Sequence, residues 1–231
     1  MKPTKRLVFD IETVGVPWDT LEPSQQDYLL RDAEKEKTEE DKEKKREELK
    51  DWIALYPFTS KVVVIGTYYV EKEAGYVYYE NETEEEWKSE ETGFQFKGMP
   101  EREILRKFWE LVGRVDQLIS FNGRGFDVPF LLLRSAMLGI KPSKRLMGNR
   151  FDSSGHLDLL EQLSFYGAFK RFNLDFYCHS FGIKTPKSKD VSGAEVKNMY
   201  KEGRIKEIAE YCGRDIYATY QLYKIWEDYL A

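Results

Sequence analysis

Val8-Phe9-Asp10-Ile11-Glu12-Thr13, lying between Arg6 and Gly15, is the stretch on which the reading of the whole chain turns. Apolar residues flank both acids and a glycine stands at the exit, so the run is expected to be a strand. Side chains alternate along a strand, which puts Asp10 and Glu12 on one face and Phe9 and Ile11 on the other. Two neighbouring carboxylates repel each other, and a bound divalent cation removes the repulsion, since hard oxygen donors suit magnesium or manganese. The alternative is an exposed edge strand whose two acids are solvated.

Around that stretch, 231 residues are enough for one substantial core, and nothing in the pattern demands two, so a single domain over 1–231 is expected. Charged residues make up 33%, aromatics 15%, and the formal net charge is −5. This excludes a basic nucleic-acid coat protein and requires any nucleic-acid contact to be local or metal-assisted. Cys178 and Cys212 are isolated from any Cys-x-x-Cys spacing, which argues against a zinc site or a disulfide framework. No apolar run approaches the roughly 18 residues of a membrane span, and the first six residues lack the apolar segment of a signal peptide. The expectation is a reduced, cytoplasmic protein with no membrane partner.

Residues 35–51 alternate Lys and Glu, with Glu40/Lys44 and Asp41/Lys45 at i,i+4 and the acid first. They read as a solvated helix or helical hairpin, a charged insertion at about 24–56 anchored by Trp52, Ile53, Leu55 and Tyr56. Residues 61–70 and 76–79 are β-branched and aromatic and make a hairpin; 82–91 reads as an acidic loop. Apolar residues at helical spacing predict a helix over 101–112, then a strand over 117–121 and a buried helix over 130–138. A short strand at 156–158, a helix at 173–181, a basic loop at 184–190 with Lys184, Lys187 and Lys189, a short helix from Ser192 to Tyr200 and a closing helix at 205–229 follow. An antiparallel half followed by a parallel half makes an α/β fold. No Gly-x-x-x-x-Gly-Lys loop is present, which excludes a P-loop nucleotidase.

Two further acids stand in apolar surroundings. Asp127, before a Pro-containing first turn, fits a helix N-cap. Asp215 follows Tyr211 by four residues on one helix face, where the two suit a hydrogen-bonded pair.

Taken in order, Asp10-Ile11-Glu12-Thr13, Asn122-Gly123-Arg124-Gly125-Phe126-Asp127 and Tyr211-Cys212-Gly213-Arg214-Asp215 resemble the three motifs of the DEDD 3′-to-5′ exonucleases, tyrosine subgroup. The chain is similar to stand-alone relatives of the proofreading domain of family B DNA polymerases, and His156-Leu157-Asp158-Leu159, Asp190-Val191-Ser192-Gly193 and Gly203-Arg204-Ile205 extend the likeness. The resemblance implies a ribonuclease-H-like mixed sheet of five strands, three antiparallel and two parallel, with helices on both faces. It implies that Asp10, Glu12, Asp127 and Asp215 hold two Mg2+ or Mn2+ ions roughly 3.5–4 Å apart, while Tyr211 orients the attacking water. Thr13, Asn122 and Phe126 would meet the terminal nucleotide. Where the histidine subgroup carries its histidine, this chain has Glu210.

The implied activity is release of nucleoside monophosphates from 3′ ends of single-stranded nucleic acid, DNA favoured over RNA, in proofreading or DNA repair. A polymerase or repair partner in trans is compatible with it. The alternatives are a 3′-to-5′ exoribonuclease and a catalytically silent nucleic-acid-binding module on the same fold. Asp158-Leu159-Leu160-Glu161 fits a capping box better than a further metal ligand, and Arg124, Lys187 and Lys189 are available to steer phosphates.

Overall fold

The computed structural model describes residues 4–185 and 195–231. At its centre is the strand quoted above, β1 (Arg6–Gly15), paired antiparallel with β2 (Ser60–Tyr69) and parallel with β6 (Gln117–Ser120). β1 is thus an interior strand, and the exposed-edge alternative for its two acids is overturned. β2 continues antiparallel to β3 (Ala74–Glu80), and β6 runs parallel to β7 (His156–Asp158). These five strands form the expected ribonuclease-H-like set of three antiparallel and two parallel.

The sheet is wider than expected. β4 (Glu85–Lys88) and β5 (Gln95–Met99) add a hairpin at the β3 edge, giving seven strands in the order β4-β5-β3-β2-β1-β6-β7. β4 lies within 82–91, so that segment is not simply a loop. Its strand is four residues long with three of them charged, and it gains its apolar partner only across the sheet, where Trp87 stacks on Phe96 at 3.9 Å. A local pattern of two carries no such information.

Alternation then divides the core. Leu7, Phe9 and Ile11 join Ile65, Ile104, Phe108, Leu118 and Leu131 on the face covered by α3 (Glu101–Val112) and α4 (Asp127–Met137). Val8 and Val64 join Val77, Ile119, Ile208, Cys212 and Ile216 beneath the long helix α8 (Ile205–Tyr229). Each large side chain withdrawn this completely contributes about 1.5–3 kcal/mol. The start of β1 is tied to the end of α8 by Arg6, which pairs with Glu71 and Glu227 and donates to the Tyr223 hydroxyl.

Between β1 and β2 lies the charged segment, a hairpin of α1 (Pro23–Leu30) and α2 (Glu39–Asp51). α2 is laced by i,i+3 ion pairs and capped by Thr38, whose hydroxyl accepts from the Asp41 N–H. Of the four expected anchors only Ile53 is buried; Trp52, Leu55 and Tyr56 are exposed. Ile53 suffices because Gly15 has no side chain: a Cβ there would lie 2.6 Å from Ile53 Cγ1. The remaining helices are α5 (Leu159–Leu163), α6 (Leu174–Ser180), capped by Asn173, and α7 (Val196–Lys201). Lys187, Lys189, Asp190 and Ser192 lie outside the described residues.

Candidate active site

Asp10 and Glu12 point from β1 toward α8, as alternation requires, and what lets α8 approach them is Gly66. Gly66 pairs with Asp10 across the β1–β2 ladder, and a Cβ on it would fall 1.7 Å from Ile216 Cδ1 and 3.0 Å from Cys212 Sγ. Only a residue without a side chain lets the helix lie this close. One step along, Glu12 faces Val64 while Thr13 faces Val62, so Val63 has no β1 partner. This bulge in β2 sits directly beside the acids, where bulges bend strands next to sites.

α8 contributes Tyr211 and Asp215, one turn apart, with the phenol in the field of the Asp215 carboxylate. The third element is the turn after β6. Asn122 adopts the left-handed conformation, φ 63°, and its side chain folds over the turn so closely that a Cβ at Gly125 would meet Asn122 Oδ1 at 2.6 Å. The turn delivers Asp127 to the first residue of α4, with Phe126 at the cap position. Asp127 is therefore no N-cap. Its Oδ1 instead accepts the Ile11 N–H at 3.2 Å, which locks it against β1. α4 also begins at Asp127 rather than at Phe130.

Asp10, Asp127, Asp215, Asn122 and Phe126 line one cleft of about 440 Å³. Ligand atoms of Asp10, Glu12 and Cys212 lie within 4.8 Å of one another. Burial, then Asp127, Glu12 and Asp215, hold the Asp10 carboxyl well above its ordinary value. Burial followed by Asp215 and Asp127 does the same to Glu12, and burial pushes Asp127 up to about 7. Among the described residues no Lys, Arg or His forms an ion pair with Asp10, Glu12 or Asp127. Asp127 is buried and Asp10 and Glu12 are partly so, and like charges this close with no such ion pair fit hard divalent cations, which these oxygen donors would hold.

The Cys212 thiol, isolated in the sequence from any Cys-x-x-Cys spacing, lies 3.9 Å from Asp10 Oδ2. Burial and the surrounding acids raise it far above an ordinary thiol, so it remains a protonated, soft donor unsuited to magnesium. Its place three residues before Asp215, on the helix face that meets β1, is the signal that could have located it. The Tyr211 phenol is likewise pushed up, by burial and then Asp215 and Glu12, and stays neutral. His156 is pushed down to about 4 by burial and bonds Ser120 Oγ at 2.8 Å, a neutral core residue.

Other expected residues divide. Phe126 lines the cleft and packs against the α3–α4 core as well. Thr13 lines a neighbouring hollow with Asp51, Ala54 and Lys197, and its hydroxyl donates to the Ala54 carbonyl at 2.7 Å. Asp158 is buried and accepts from the Leu160, Asn122 and Arg124 N–H groups at 3.0, 2.9 and 2.9 Å. It caps α5 and at the same time fixes the Asn122 turn. The capping box is not completed, because Glu161 turns instead to Arg150 at 2.8 Å.

Such a sheet, with four carboxylates and a tyrosine gathered at its centre, has the form of the ribonuclease-H-like 3′-5′ exonucleases. A family model described as "Predicted 3'-5' exonuclease related to the exonuclease domain of PolB" matches residues 81–228, and the chain belongs to that family. A DNA polymerase of Desulfurococcus sp. (strain Tok) is 30% identical over 155 residues, 60% of this chain and 20% of the polymerase. An uncharacterized protein of Methanocaldococcus jannaschii is 31% identical over 138 residues, covering 54% of this chain and 73% of that one. The structure of the family B DNA polymerase from Pyrobaculum calidifontis aligns with 97% of this chain at a TM-score of 0.61 and 18% identity. The chain spans about a fifth of the first polymerase and a quarter of the second.

Proposed function

We propose that this chain is a metal-dependent 3′-to-5′ exonuclease that hydrolyses the phosphodiester bonds of single-stranded DNA and releases nucleoside monophosphates. The observation that carries the reading is the convergence of Asp10 from β1, Asp127 from α4 and Asp215 from α8 on one cleft, with Glu12 of β1 beside Asp10 and in the field of Asp215 and Asp127. Two magnesium or manganese ions held by these four carboxylates would neutralise the scissile phosphate and clamp the attacking and leaving oxygens of an in-line displacement.

The protein's own groups do the rest. Tyr211, neutral and beside Asp215, is suited to hold the attacking water in line and not to remove its proton. Asn122 and Phe126 offer the terminal nucleotide an amide and a ring at the mouth of the cleft. Thr13, its hydroxyl given to Ala54, flanks the terminal sugar from the adjoining hollow. Asp158 acts as a positioning residue through the Asn122 turn. DNA is favoured because relatives of the chain carry the name DNA polymerase. The same reading gives a single exonuclease domain carrying the 24–56 hairpin as an insertion, acting in the cytoplasm in repair or proofreading beside a polymerase in trans. Among the described residues no helix is long and apolar enough to cross a membrane.

The test is to incubate the chain with 3′- and 5′-labelled single-stranded DNA and RNA of one sequence, in magnesium, manganese or chelator, beside Asp10→Ala. Metal-dependent shortening from the 3′ end, faster on DNA and absent in the variant, is expected. Faster shortening of RNA would make it an exoribonuclease, and binding without shortening a silent module.

A further inference from the structure

Beside the acidic cleft, and sharing Asn122 with it, is a second hollow of about 400 Å³ into which Arg124, Arg150 and Arg171 converge. The three guanidinium groups surround one carboxylate. Arg150 Nε and Arg171 Nη2 lie 2.8 and 3.6 Å from Glu161 Oε1, and Arg124 Nε lies 3.7 Å from Oε2. Only the first of these is a hydrogen bond, and Glu161 Oε2 is buried without a hydrogen-bond partner. The other acid of the hollow, Asp158, is taken up by three backbone N–H groups. Three cations against two carboxylates leave a positive surplus of one, and beyond the bonds of Arg124 Nη2 to the Gly148 carbonyl and Arg150 Nη2 to the Tyr166 carbonyl several donors are unspent, since each guanidinium carries five N–H groups.

The exposures are graded. Glu161 is buried at the floor with the Arg124 side chain 11% exposed beside it, while the Arg150 and Arg171 side chains are 47% and 44% exposed at the rim. Planar donor forks facing water around a recessed carboxylate suit a phosphodiester, which accepts through two non-bridging oxygens.

Aromatic rings interleave with these arginines. Phe151 and Phe169 are each 68% exposed, and Phe165 is nearly as open. Phe165, Tyr166 and Gly167 are all left-handed, with φ of 48°, 58° and 97°. Left-handed backbone at two successive non-glycine residues costs energy and marks a turn with a purpose. Here it leaves Phe165 and Phe169 in water with ring centroids 5.8 Å apart. Phe172, directly after Arg171, lines the acidic cleft itself. Alternating cations and exposed rings are what a single strand binds, by phosphate contact and base stacking.

We propose that Arg124, Arg150 and Arg171 form a subsite for a backbone phosphate of the substrate strand, upstream of the 3′ end that enters the acidic cleft, with neighbouring bases resting on the exposed phenylalanines. The assignment deepens the exonuclease reading and rests on it. It also explains how a chain of net charge −5 engages a polyanion away from any metal.

The test is binding of a single-stranded oligonucleotide in chelator, where hydrolysis is absent and the repulsion of the acidic cleft is the same for every variant. Arg150→Ala/Arg171→Ala is expected to weaken binding about tenfold or more and to reduce the slope of log affinity against log salt by about one. Glu161→Gln, which removes the competing carboxylate, is expected to tighten binding severalfold. Oligonucleotides carrying one neutral methylphosphonate at successive linkages should show a single sensitive linkage in the unaltered chain and none in the double variant. The subsite is refuted if the double variant binds as tightly as the parent, if Glu161→Gln weakens binding in a chain that melts normally, or if no linkage is sensitive. Displacement of the strand by a nucleoside monophosphate in an arginine-dependent way would make the hollow a product site and overturn the assignment to the strand. Arginine-dependent binding in a chain that never shortens DNA in magnesium would refute the exonuclease and keep the phosphate site.

Discussion

Replacing Gly66 by alanine tests whether the approach of α8 to β1 builds the site. The new methyl would lie 1.7 Å from Ile216 Cδ1, 3.0 Å from Cys212 Sγ and 3.1 Å from Ile216 Cγ1. Ile216 and Cys212 are fully buried, so the displaced δ-methyl has no void to enter and the helix must move. Overpacking of this kind costs about 1–3 kcal/mol. For a chain of this size about 2 kcal/mol lowers the melting temperature by ~4–8 °C. Because Tyr211 and Asp215 ride on the same helix, a shift approaching 1 Å lowers turnover by up to about 100-fold. Ile216→Val removes the offending methyl and alone costs only about 0.5–1.5 kcal/mol. The double variant should therefore be more stable and more active than the sum of the two single changes predicts. Melting curves and a 3′-end-labelled strand assay on all four proteins complete the cycle. A Gly66→Ala chain that melts and cleaves like the parent, or a double variant no better than Gly66→Ala, would refute the reasoning.

Other outcomes follow from the same geometry. Asp127 is held near 7 when folded and close to the ordinary carboxylate value when unfolded, so the folded state binds the extra proton. Stability of the metal-free chain should accordingly rise as pH falls from about 7 toward 4. The difference between parent and Asp127→Asn in chelator isolates that slope, and a difference that grows in the opposite direction rejects it. Magnesium should raise the melting temperature of the parent and leave Asp10→Asn nearly unmoved, while chelated Asp10→Asn should melt above the chelated parent because a repelling charge is gone. Tyr211→Phe should lower kcat by about 100-fold while leaving KM and the metal-induced rise in melting temperature alone; a change confined to KM would assign the phenol to binding. Asp158→Ala strands three backbone donors, and losing about 2–3 kcal/mol together with a higher KM is expected. A fall in stability alone would show that the Asn122 turn holds without it.

The sequence was most legible where a residue's neighbours in the chain are its neighbours in space. The alternation of β1 separates Asp10 and Glu12 from Phe9 and Ile11, and the spacing of Tyr211 and Asp215 puts both on one face of α8, so both relations survive in the structure. The bounds of α3 and α8 follow from apolar periodicity alone. What local pattern could not supply is anything decided across the sheet. β4 becomes a strand through β5, Asp127 is claimed by the Ile11 N–H before it can cap its own helix, and Thr13 gives its hydroxyl to a carbonyl of the hairpin. Arg124, Arg150 and Arg171 are far apart in sequence, and no periodicity brings them to Glu161. Of the four expected apolar anchors Ile53 is the one buried, because its fit to Gly15 is steric, and steric fit leaves no compositional trace.

Asp10 and Cys212 touch across 202 positions of chain, with the Arg6 clasp to Glu227 closing the same gap from outside. Contacts of such sequence separation form late and slowly. A chain emerging from the ribosome without α8 would lack Tyr211 and Asp215, and on the proposed assignment would not cut. In the proposed nuclease, competence to degrade DNA and completion of the fold are therefore one event, which protects the cell from a half-made exonuclease with no inhibitor required.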